Sequence, residues 1–65
     1  MEPYQTRVVE EKAELDAKMD KLTSFIDTQF FGKCSQAEQE LLVEQLHHMG
    51  NYTAVLAKRI RLFGV

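Results

Sequence analysis

Apolar side chains recur along the first third of the chain at helical spacing, as Val8, Leu15, Met19, Leu22 and Ile26, the pattern of an amphipathic helix with one buried seam. One residue out of phase runs a second stripe, Tyr4, Arg7, Glu11, Glu14, Lys18, Lys21 and Phe25, built of cations, carboxylates and two aromatic ends. Pro3 suits a first helical position because its missing N–H is not needed there. With no glycine or proline until Gly32, the first helix is predicted over about 3–28. The stretch "TQFFGKC" interrupts the periodicity, and Gly32 offers a positive φ for a turn over about 29–35. Ser35-Gln36-Ala37-Glu38 reads as a capping box, opening a second helix over about 36–63 that stops at Gly64.

The seam of the second helix is Leu42, Leu46, Met49, Thr53, Leu56, Ile60 and Phe63. A short connection makes the two helices antiparallel neighbours. A register centred on the turn sets Leu22 against Leu46, Met19 against Met49 and Val8 against Ile60, all apolar pairs. The prediction is an all-α, antiparallel two-helix hairpin forming a single domain over 1–65. The second helix carries a further apolar row, Leu41, Val55 and Leu62 beside Tyr52, about 100° from its seam. A hairpin has nowhere to bury that row, and exposed apolar patches mark interfaces. An oligomeric helical bundle of several hairpins is therefore expected. Gly50 falls mid-helix, where glycine costs about 1 kcal/mol relative to alanine; a bend there, or close approach of another backbone or a ligand, would account for it.

Composition narrows the picture. A 65-residue chain buries only about 60% of its unfolded surface and is marginal alone. Cys34 is the one cysteine, which rules out an intrachain disulfide, and the adjacent His47 and His48 point about 100° apart on a helix, which disfavours a shared metal. Oligomerisation is the remaining source of stability. A net charge of −2 gives no support to binding of a DNA or RNA polymer, which normally needs a strongly basic domain. No apolar run approaches the length of a membrane span and no leader pattern is present, so a cytoplasmic protein with no membrane partner is expected.

No nucleophile has a base at an activating spacing, and the histidines lack the i, i+4 geometry of a helical metal site. The expectation is a non-enzyme without cofactor or metal. The stripe has a plain explanation, that Arg7–Glu11 and Glu14–Lys18 are i, i+4 pairs on a solvated helix face. Its aromatic ends fit that explanation poorly. Lys12 and Thr53 also bring polar groups onto seam positions within one turn of each other, and Lys12 is expected to extend its ammonium to a carboxylate or to solvent. The antiparallel register gathers Lys58, Arg59 and Arg61 beside Tyr4, Arg7 and the start of the first helix. Cations, a phenol ring and free backbone amides suit a small, phosphorylated, aromatic ligand.

The pattern "YQTRVVEEKAELDAKMDKLTSFI", followed by "AEQELLVEQLHHMGNYTAVLAKRIRLF", resembles the helical hairpin of phage anti-CBASS and anti-Thoeris sponge proteins, which sequester the cyclic oligonucleotide signals of bacterial immunity. The likeness covers nearly the whole chain and rests on a diffuse pattern rather than a catalytic motif. It implies homo-oligomers, typically hexamers, of kinked hairpins that bind cyclic dinucleotides between protomers without cleaving them, some members also taking cyclic trinucleotides. In that pattern an early tyrosine stacks on a base, which corresponds to Tyr4. A lysine further along the same helix corresponds to Lys18 or Lys21, and the cation of the second helix to Arg59. A departure from longer members is expected at the start, where this sequence shows no counterpart of their extra N-terminal helix. The ligand-binding set expected is Tyr4, Arg7, Lys18, Lys21, Thr53 and Arg59, acting in the cytoplasm of a bacterial host. The alternative is a coiled-coil-like adaptor that meets a host or phage protein through Leu41, Val55 and Leu62.

Overall fold

Three helices follow one another in a computed structural model that describes residues 1–64: α1 (Pro3–Ile26), α2 (Gln29–Lys33) and α3 (Gln36–Phe63). Pro3 occupies the first turn of α1, and the Glu2 N–H ahead of it donates to Gln5 Oε1 at 2.8 Å. At the start of α3 the Ser35 hydroxyl oxygen accepts from the Glu38 N–H at 3.1 Å, which satisfies one of the amides a helix start leaves free. Gly64 is the C-cap of α3.

The connection differs from the expected turn. α1 ends at Ile26 rather than Thr28, because Asp27 and Thr28 close it with tight bonds to Ser24 O and Phe25 O at 3.2 and 3.0 Å. Residues 29–33, assigned to an irregular turn, form the helical turn α2. Gly32 lies inside it, and no described residue has a positive φ. The reversal is made by extended residues on either side of α2, Thr28 (φ −93°, ψ 160°) before it and Cys34 (φ −70°, ψ 155°) and Ser35 (φ −60°, ψ 157°) after it. The Gln39 amide of α3 donates to Cys34 O at 2.9 Å and Gly32 O at 3.4 Å, so carbonyls that a short helix leaves unpaired are capped from outside it.

α1 and α3 pack as an antiparallel hairpin 46 Å long and about 15 Å across. Three contacts set the register: the Tyr4 and Phe63 rings meet edge to face with centroids 5.8 Å apart, the Thr53 hydroxyl bonds Asp16 at 2.6 Å, and a Cβ at Gly50 would lie 3.8 Å from Met19 Cε. Each agrees within a residue with the register read from the apolar pattern. The core is thin: Val8, Leu15 and Leu56 are buried, with Met19, Met49, Ile60 and Phe63 packed against them. α3 continues as α-helix through Gly50, and nothing but the tip of Met19 comes near that glycine. At the turn end Phe31 packs edge to face on Phe25, centroids 6.3 Å apart, and the Lys33 ammonium lies 5.3 Å from the centre of the exposed Phe30 ring.

Candidate functional site

The stripe of α1 consists of the residues that directly precede its seam positions. The same holds on α3 for Leu41, Gln45, His48, Tyr52, Val55, Arg59 and Leu62, which precede Leu42, Leu46, Met49, Thr53, Leu56, Ile60 and Phe63. A step back of one residue is a rotation of 100°. Along two antiparallel axes these rotations run in opposite senses, so both rows emerge on the same side of the hairpin. Every member of both rows is exposed. The apolar row and the charged stripe are thus two halves of one face. Sequence reasoning treated them separately and missed Gln45 and His48, although the alternating four-and-three spacing from Leu41 to Leu62 contained them.

On that face Tyr4, Arg7 and Arg59 come together at the open end of the hairpin. Tyr4 is 51% exposed, which leaves much of its ring free although it already packs on Phe63. Of the other two cations expected there, Arg61 follows the seam residue Ile60 and leaves on the opposite side, and Lys58 lies on the back of α3. Lys18 and Lys21 share the face but not the place. Eleven residues separate Arg7 from Lys18, about 16 Å of helix rise, and Tyr4 to Lys21 spans about 25 Å.

Thr53 is placed differently. Its hydroxyl donates to Asp16 Oδ1 at 2.6 Å while the Lys12 ammonium donates to Asp16 Oδ2 at 2.7 Å. The hydroxyl is engaged within the seam instead of facing a ligand, and Lys12 reaches a carboxylate as its position required. Asp16, which sequence reasoning did not single out, is the hub of this chain of bonds; its i, i+4 spacing from Lys12 was the available signal. The Lys12 ammonium and then the Thr53 hydroxyl hold its carboxyl below the usual carboxylate range, against a smaller upward push from burial.

The pairs that would make the stripe a self-satisfied surface are not formed. Among the described residues the ion pair is Lys12–Asp16, beside a His48–Glu44 contact of 3.5 Å; Arg7–Glu11 and Glu14–Lys18 do not close. A shallow depression of about 340 Å³ lies at the turn end, lined by Phe31, Gln36, Gln39, Glu40 and Val43. Its lining has a carboxylate and no cation, which suits an anionic ligand poorly. Among the described residues there is no cluster of three or more potential metal ligands and no helix long and apolar enough to cross a membrane.

Comparison with known proteins adds two findings. A family model described as Sequestin matches residues 2–62. An uncharacterized 7.5 kDa protein of the denB-rIIB intergenic region of Enterobacteria phage T4 is 42% identical over 60 residues, 92% of this chain and 94% of that protein. No solved structure matches.

Proposed function

Because the chain belongs to the Sequestin family, we propose that it is a phage sponge that captures a cyclic oligonucleotide immune signal of its bacterial host and holds it uncleaved. The observation that carries this reading is the convergence of Tyr4, Arg7 and Arg59 on one exposed face. A cyclic di- or trinucleotide joins flat bases to a compact ring of phosphates. A phenol face stacks on the former, and guanidiniums pair with the latter through parallel hydrogen bonds. The family name itself denotes sequestration, and a phage encodes a close relative.

Sequestration needs no reacting group, metal or cofactor. It lowers the free signal when binding sites outnumber signal molecules and the Kd lies below the concentration at which the signal acts. The host cytoplasm, where such signals are made, is the compartment in which the sponge acts.

A ligand that binds only the folded protein at about 100 times its Kd adds about 2.7 kcal/mol of stability. Thermal melting with and without a panel of cyclic di- and trinucleotides is the test. A shift of several degrees with at least one, and recovery of the intact nucleotide after unfolding, are expected. No shift across the panel would favour a second reading, an adaptor for another protein, for which the exposed Leu41, Val55 and Leu62 (59%, 52% and 73%) provide the surface.

A further inference from the structure

Tyr4 occupies the first turn of α1, directly after Pro3, where a helix end frays most readily. The backbone of that turn is tied down by Glu2 and Gln5. The Glu2 N–H donates to Gln5 Oε1 at 2.8 Å, and Glu2 O accepts from the Gln5 and Thr6 N–H groups at 3.0 and 3.1 Å. The side chain is tied down separately. Its ring meets that of Phe63, the last residue of α3, with centroids 5.8 Å apart and planes 83° to one another. Phe63 is itself packed against the buried cluster of Val8, Leu15 and Leu56. The core thus reaches the exposed face through one ring that touches the next, where an aliphatic residue at 63 would have finished the seam equally well.

We propose that Phe63 is a positioning residue, which holds the Tyr4 ring at a fixed place and tilt so that a nucleobase can stack on it. A perpendicular contact engages at most one of the two faces of Tyr4, because one ring meets the other edge-on. Tyr4 remains 51% exposed, so a face is left for a flat ligand. Arg59 lies one turn before Phe63 on α3. Pinning Tyr4 to Phe63 therefore also fixes the spacing between the ring and that guanidinium. A ligand whose base and phosphate are joined covalently needs both groups at one spacing. A ring free to swing would have to be ordered on binding, at a cost of roughly two- to tenfold in affinity. The positioning role rests on the sponge reading for what is bound, whereas the ring contact does not.

The test begins without ligand. In proton NMR of the whole chain, the Tyr4 and Phe63 rings should show a mutual Overhauser contact, and the Tyr4 resonances should be displaced by the Phe63 ring current. Phe63→Leu keeps an apolar side chain on the seam and should return the Tyr4 resonances toward those of a free tyrosine, with helix content unchanged. Phe63→Tyr should keep the displacement. Met49→Ala weakens the same core about 21 Å of helix rise from Phe63, and it should keep the displacement too.

The binding arm uses cyclic di-AMP, cyclic di-GMP and AMP, followed at the Tyr4 ring and at the backbone amides around Arg59. At least one probe should move the Tyr4 resonances. Phe63→Leu should bind that probe roughly two- to tenfold more weakly, while Phe63→Tyr and Met49→Ala stay within about twofold of the parent. In a Tyr4→Ala background, Phe63→Leu should cost nothing further. Absence of the ring contact, parent-like affinity in Phe63→Leu, an equal loss from Met49→Ala, an equal loss with and without Tyr4, or Tyr4 resonances indifferent to all three probes would overturn the proposal. If AMP moves Tyr4 in a Phe63-dependent way and neither cyclic probe does, the positioning role stands and the sponge reading alone fails.

Discussion

The Thr53 hydroxyl lies 2.6 Å from Asp16 Oδ1, thirty-seven positions away in the chain, and this bond is one of the three contacts that fix the level at which α1 and α3 meet. Lys12 holds the other carboxylate oxygen at 2.7 Å. The half-buried polar groups on the seam therefore satisfy one another around a single carboxylate.

Asp16→Asn removes that charge and should lower the melting temperature at neutral pH. The sign follows from linkage: the carboxyl is held below its ordinary range in the folded protein, so its stabilisation is present above its unfolded pKa and lost as pH falls through the folded value. Calorimetric melting from pH 7 to pH 2.5 should show the gap between parent and variant narrowing below about pH 4. A gap independent of pH would mean the bond carries no charge-dependent stability.

Leu56 is 1% exposed at the centre of a three-residue core. Leu56→Ala should cost about 2–5 kcal/mol through lost burial and the cavity left behind, a large share of what so small a domain has. Urea titration by circular dichroism should find it largely unfolded, whereas Leu56→Met, close in volume, should cost less than about 1.5 kcal/mol.

Gly50→Ala should stabilise. The helix is regular there, and the added Cβ would meet only the flexible end of Met19, at 3.8 Å. Recovery of about 0.8–1 kcal/mol of helix propensity corresponds to a rise of roughly 4–8 °C in Tm. A fall would point to a neighbour that needs the space, such as a further protomer.

Tyr4→Ala should weaken cyclic nucleotide binding roughly tenfold or more, base stacking being worth about 1–3 kcal/mol. It should also cost about 0.5–1.5 kcal/mol of stability through its pairing with Phe63, which Tyr4→Phe should largely retain. Arg59→Ala should lose about 1.5–3 kcal/mol of affinity, the loss shrinking as salt screens the phosphate contact. Lys58→Ala, on the back of α3, is the control. Equal, small effects in titration calorimetry from Tyr4→Ala, Arg59→Ala and Lys58→Ala would return the stripe to an ordinary solvated surface.

Much of this protein was legible in one dimension. The seams, the Pro3 start, the Ser35 cap and the Gly64 stop depend on neighbours within a turn or two, where spacing and local hydrogen bonding carry the information. The antiparallel register was legible as well, because centring it on the short connection pairs the two seams apolar to apolar. The connection was not: "QFFGK" has no periodicity of its own, and its helical turn is completed by Phe25 against Phe31 and by Gln39 capping from α3.

The candidate site divides along the same line. Residue type and the antiparallel register brought Tyr4 and Arg7 beside Lys58, Arg59 and Arg61, and the family resemblance picked Arg59 from those three cations. The separation of Arg7 from Lys18 and Lys21 follows from the rise of one helix, whereas that Thr53 serves Asp16, and that the apolar row of α3 and the charged row of α1 form one face, became visible only once the helices were packed. Those are relations between residues distant in the chain, created by the opposite sense of two antiparallel axes, and no local pattern encodes on which side of its partner a helix turns a given row.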